Sequence, residues 1–161
     1  MKDLYSDYKL IRKMKVNLKT KARILSELMA TAPETWRVFG ITEEALKVFH
    51  DYNFKKGIRM RINRSHHPKG RTDFYLEMLT APLTTYEQWW QDYYAFDKTI
   101  LATATENNKN NFSKIFEIDS KLGLFKAQGY AWKHNAKESD FLRKIYNEKI
   151  NELQSGHPVK T

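Results

Sequence analysis

The sequence predicts a helix-rich α+β fold, with amphipathic helices packed around a small antiparallel β-hairpin or sheet. Three observations carry that expectation. The first 31 residues hold neither Pro nor Gly and place apolar side chains at helical steps. Residues 57–79 change to strand-like alternation about a loop containing Pro68 and Gly70. Beyond Pro82, aromatic and aliphatic residues return to helical spacing. With 161 residues and 22 aromatic side chains to fill a core, one globular domain is expected over 1–155, with a flexible tail at 156–161.

Leu4, Tyr8, Ile11, Met14, Leu18, Ala22, Leu25 and Met29 follow one another at steps of three or four. That stripe predicts one long amphipathic helix, or two in succession with the break near Asn17 and Thr20. Pro33 and Gly40 bracket a short helix holding Trp36 and Phe39. Thr42 is placed to cap the next helix, with Glu43 and Glu44 in its positively polarised first turn. Ala45, Leu46, Val48 and Phe49 carry that helix to about Tyr52.

Ile58, Met60 and Ile62 alternate with Arg59, Arg61 and Asn63, as a half-buried strand does. Phe74, Leu76 and Met78 alternate in turn with Tyr75 and Glu77, so the two runs are expected to pair as a hairpin. After Pro82, Thr84 with Glu87 or Thr85 with Gln88 has capping-box spacing. Tyr86, Trp89, Trp90, Tyr93, Phe96 and Ile100 then form an aromatic helical stripe. Ala102–Asn111 reads as a helix end and an exposed loop. Residues 112–132 fit either strands about Ser120–Gly123 or a short helix. Asn135 caps a final helix with Glu138 three residues on, its apolar face built from Leu142, Ile145, Tyr146, Ile150 and Leu153. Gly156 and Pro158 stop it.

Composition removes several function classes. No cysteine is present, which excludes disulfide frameworks, thiolate metal sites and cysteine nucleophiles, and fits a reducing cytoplasm. Apolar runs of about four residues fall far short of the ~20 that span a bilayer, and the first residues lack the apolar run of a signal peptide. A cytoplasmic protein is expected. Lys, Asn, Tyr, Phe and Ile, all with AT-rich codons, are abundant, as in the proteins of low-GC bacteria or large tailed phages; for a phage protein the compartment is the host cytoplasm.

Candidate chemistry is sparse. His66 and His67 share a loop beside Pro68 and would need carboxylates from elsewhere, such as Asp73, to hold a metal. Glu117, Asp119 and Lys121 form an acid-x-Lys triplet of the kind metal-dependent nucleases use, where carboxylates hold the ion and lysine steadies the attacking water. No phosphate-binding glycine loop or serine-nucleophile motif occurs, and nothing calls for a cofactor. A non-enzymatic protein is therefore expected, with no catalytic or metal residues assigned.

Charge carries the binding expectation. The net charge is +9, from 28 Lys and Arg against 19 Asp and Glu. Residues 1–30 hold eight bases and three acids, residues 51–72 seven bases and one acid, and residues 73–105 five acids and one base. On the expected hairpin, Arg59, Arg61 and Arg64 lie largely on one side, toward solvent, with Lys55, Lys56, Lys69 and Arg71 at its ends. A basic β-ribbon fits a major groove, and guanidinium groups hold phosphates bidentately. Those seven residues are the expected nucleic-acid contacts, and the basic side of the N-terminal helix extends the surface. Gly40-Ile41-Thr42 has the outline of a helix-turn-helix turn, but Glu43 and Glu44 would face phosphates unfavourably.

Two partners follow. The first is nucleic acid, held mostly through phosphates. The second is an acidic surface of a larger protein, for which Trp89, Trp90, Tyr93 and Tyr94 supply an aromatic interface. A phage-type host-takeover protein that inhibits or modulates a polymerase, nuclease or protease would have this bipolar, aromatic-rich character.

Overall fold

In the computed structural model, residues 2–32, 35–55, 60–125 and 135–154 are described. The elements are α1 (Lys2–Lys13), α2 (Leu18–Ala30), β1 (Arg37–Thr42), α3 (Glu43–Asp51), β2 (Ile62–His66), α4 (Arg71–Thr80), α5 (Tyr86–Phe96), β3 (Lys98–Thr103), α6 (Ala104–Lys109), β4 (Ile115–Glu117), a 3₁₀ turn (Ser120–Leu122) and α7 (Ala136–Gln154). The fold is a helix-rich α+β arrangement with a mixed sheet in the order β2–β3–β1–β4. β1 and β4 run antiparallel, with Gly40 opposite Glu117 and Thr42 opposite Ile115. Among the described residues no helix is long and apolar enough to cross a membrane.

The chain forms two compact units, and each draws on separate stretches of sequence. One takes in Met1–Arg37 and Ser65–Thr99; the other takes in Val38–Arg64, Ile100–Phe125 and α7.

In the first unit α2 packs on α1 and on α4, and α1 also meets α5. Tyr8, Ile11, Leu25, Met29, Tyr75 and Trp89 are central to its core. The N-terminal stripe breaks where the sequence suggests: the Asn17 side chain accepts the Thr20 N–H at 2.9 Å and caps α2. A cap of this kind is worth ~1 kcal/mol. Tyr8 anchors α1 to α4 by donating its hydroxyl to the Met78 carbonyl at 2.6 Å.

The expected hairpin over 57–79 does not form. Of its first arm only Ile62 and Asn63 lie in β2, which runs on into the expected loop; residues 57–59 lie outside the described residues, and residues 71–80 are α4. Phe74, Leu76 and Met78 satisfy a strand period, yet Tyr75, Met78 and Leu79 satisfy a helical one, and these three are the buried residues. Docking a helical face on α2 decides between two patterns that sequence alone leaves equivalent.

In the second unit α3 packs on α7, with Leu46, Phe49 and Leu142 fully buried. Thr42 caps α3 as expected, accepting the Ala45 N–H at 3.1 Å. Where a short helix holding Trp36 and Phe39 is expected, Arg37–Thr42 is β1, so a strand and not a helix leads into Thr42 and the helix-turn-helix outline is lost. Gly40 explains the difference: a Cβ there would lie 2.8 Å from Ile115 Cγ2 and 3.1 Å from the Phe116 carbonyl oxygen. Glycine serves close strand approach here, where the sequence suggested a helix stop.

Thr85 caps α5 through the Gln88 N–H. The helix ends at Phe96, short of Ile100, because Asp97 turns inward and the β-branched Thr99 and Ile100 enter β3. Residues 104–109 form α6 with a complete capping box between Thr103 and Glu106. β4 and the 3₁₀ turn occupy the first half of the ambiguous 112–132 region; residues 126–132 lie outside the described ones, as does the expected tail. Asn135 and Glu138 cap α7 reciprocally at 2.8 and 3.2 Å, as their spacing predicts.

Candidate nucleic-acid interface

Among the described residues, a concentration of unopposed charge lies where α1 turns into α2. Between Asp7 and Glu27 the chain carries Lys9, Arg12, Lys13, Lys15, Lys19, Lys21 and Arg23 and no acid. Ile11 and Ala22 are the last buried residues on either side of the turn, and residues 13–19 are all exposed. The end of the helix pair thus stands clear of its own core.

The seven bases divide by what they touch. Lys21 Nζ donates to the Arg12 carbonyl oxygen at 2.6 Å, across the turn. Arg12 lies against Tyr8 and donates to its hydroxyl at 3.0 Å. Lys9 sits 4.8 Å above the Tyr5 ring. Lys13, Lys15, Lys19 and Arg23 are exposed and make no side-chain hydrogen bond or ion pair among the described residues. α2 has no acid in its first turn and carries Lys19 and Lys21 there. Those charges oppose the macrodipole, which disfavours the helix slightly and raises the positive potential at the turn.

The described residues among those expected to hold phosphates belong to both units. Lys55 and Arg61 are exposed in the second unit, and Lys56 and Arg59 lie outside the described residues. Arg64 is buried on β2, which corrects the expectation that it faces solvent; with Ser65 and His66 it forms a run of three buried positions that breaks the alternation. In the first unit Lys69 is ion-paired with Glu77, and the half-buried Arg71 guanidinium lies 4.9 Å over the Trp36 ring. Because residues 71–80 are helical, these bases do not share a β-hairpin.

The expected aromatic interface divides too. Trp89 and Tyr93 are buried in the first unit's core and Trp90 is half-buried. Tyr94 is exposed, with the Arg37 guanidinium 3.4 Å above its ring. Burial foremost, then Tyr75 and the Asp97 carboxylate, push the Tyr93 phenol far above its usual range.

Two polar clusters escaped the sequence reading. In the first unit, His66 Nε2 lies 3.1 Å from Asp97 Oδ1 with both side chains buried. The other Asp97 oxygen accepts the Trp36 N–H at 2.6 Å, and Phe96 and Trp36 flank the imidazole. In the second unit, Glu106 accepts from Thr42, from Thr103, and from the Ser113 amide and hydroxyl at 3.0 and 2.6 Å. Burial raises the Glu106 carboxyl, but these hydrogen bonds outweigh it and hold the group below its ordinary value. Its oxygens are spent on the fold, so the adjoining cleft of about 500 Å³, which Arg61 and Asn108 also line, gains no free carboxylate from it.

Of the acid-x-Lys triplet, Glu117 ends β4, and Asp119 and Lys121 lie at the 3₁₀ turn. Asp119 caps the 3₁₀ turn by accepting the Lys121 N–H at 2.9 Å. Among the described residues no three His, Asp or Glu side chains converge on one point. Compared with protein-family models, curated proteins and solved structures, the chain matches none.

Proposed function

We propose that this chain is a small, basic, non-enzymatic protein of the cytoplasm that binds nucleic acid through phosphate contacts, with the α1–α2 turn as its principal surface. The observation that carries this is the row of exposed bases, Lys13, Lys15, Lys19 and Arg23, with no acid in the sequence between Asp7 and Glu27. Surface cations without partners keep their full charge for an incoming polyanion, whereas Lys69 already spends its charge on Glu77. Lys55 and Arg61 offer further exposed bases in the second unit. The modulator reading is less well supported, because Trp89 and Tyr93, two of its four aromatic contacts, are part of a core.

Fluorescence anisotropy with random-sequence duplex and single strands at low salt tests the proposal. It expects binding to both that weakens steeply as salt rises. Absence of binding at low salt, together with one stoichiometric protein captured from nuclease-treated lysate, would put the modulator in its place.

A further inference from the structure

The same turn exposes aliphatic side chains that its charges do not explain. Leu10 is 63% exposed, Val16 41%, Met14 40% and Leu18 39%. They are four of the eight large exposed hydrophobics among the described residues, gathered within nine positions and interleaved with Lys9, Lys13, Lys15 and Lys19. Met14 and Leu18 belong to the helical stripe that the sequence assigns to the core, yet the break at 14–17 leaves them beyond Ile11 and Ala22.

From this we infer that the tip is a wedge for the minor groove of duplex DNA, with Met14 and Val16 entering a base step while the lysines hold the flanking phosphates. The inference rests on the phosphate-binding function proposed above and adds what the apolar residues do. Proteins that bend DNA from the minor groove pair such wedges of Leu, Met or Ile with cationic side chains, and the contacts made on the bent duplex offset the cost of unstacking. A bilayer fits the same patch less well. An interfacial helix lays a whole apolar face into the lipid boundary, whereas the faces of α1 and α2 are occupied by Tyr8, Ile11, Ala22, Leu25 and Met29 in the core. Only the tip is open, and the sequence puts no Trp or Phe there.

The test uses a duplex carrying 2-aminopurine at central steps and a donor–acceptor pair at its ends, with the full-length protein and its M14A/V16A variant. The wild type is expected to raise 2-aminopurine fluorescence and shorten the end-to-end distance. The variant should bind about tenfold more weakly, with an unchanged salt slope, and should do neither. Wild-type binding without unstacking or bending overturns the wedge and leaves phosphate binding standing, while absence of all binding overturns both. A parallel arm uses phosphatidylserine–phosphatidylcholine vesicles. If the double substitution abolishes vesicle binding and leaves duplex binding and bending unchanged, the tip belongs to a membrane surface and the wedge is overturned.

Discussion

Lys21 on α2 donates its ammonium to the backbone carbonyl of Arg12 on α1 at 2.6 Å, closing the turn between the two helices. The acceptor lies in the last turn of α1, where carbonyls lack helical partners and a cation is favoured by the macrodipole. Lys21 is thereby a structural lysine amid exposed ones. Lys21→Ala should lower unfolding free energy by about 1 kcal/mol in urea titrations, whereas Lys13→Ala or Lys15→Ala should change it by less than ~0.5 kcal/mol. Equal stability losses at all three positions would mean that the lysines are not divided in this way.

Asp97 organises the aromatic cluster of the first unit. Trp36 adopts φ 61°, a left-handed conformation that disfavours a bulky residue by ~1–2 kcal/mol. The Asp97 carboxylate accepts its amide and, through the other oxygen, meets His66. Asp97→Ala removes both interactions from a buried position and should cost about 3 kcal/mol of stability. A loss below ~0.5 kcal/mol would show that the cluster does not hold the backbone there.

Glu106 gives a pH signature. Its folded carboxyl lies below the ordinary 4.5, so its hydrogen bonds contribute fully above that pH and are lost as pH falls through the lowered value. Glu106→Gln should therefore destabilise at pH 7 and much less once pH has fallen through the lowered folded value, where the wild-type group also takes up its proton. A stability gap that stays constant between the two would contradict this assignment.

Gly40 tests the pairing of β1 with β4. An added methyl would press on Ile115 and on the Phe116 backbone, so Gly40→Ala should cost ~1–3 kcal/mol. No loss in thermal or urea unfolding would mean that the two strands are not this close.

How much of this was legible beforehand varies with the residue. Caps are readable at Thr42, at Asn135 and at Thr84 or Thr85, because a short polar side chain and an amide three residues on define the interaction locally, while Asn17 reads only as a break. The basic N-terminal stretch was readable as well. Residues 71–80 were not, since Phe74, Leu76 and Met78 fit a strand while Tyr75, Met78 and Leu79 fit a helix; contact with α2 supplied the missing term. Arg64 shares the parity of Ile58, Met60 and Ile62, so strict alternation puts it on their face; its burial contradicts the grouping of the arginines by charge, not the strand period. Asp97 and His66 meet across 31 residues, and nothing local marks the pair. The exposed tip did leave a trace: Leu10 and Val16 fall off the helical stripe, between lysines.

The central claim is that Lys13, Lys15 and Lys19 bind phosphates. It is tested most directly by the slope of log K against log salt for a random duplex, measured for the wild type and for the Lys13→Ala/Lys15→Ala/Lys19→Ala variant. Each lost phosphate contact should flatten the slope by ~0.9, so the triple variant should be shallower by about three, with unchanged unfolding free energy. Identical slopes, or no measurable binding by the wild type at low salt, would contradict the account.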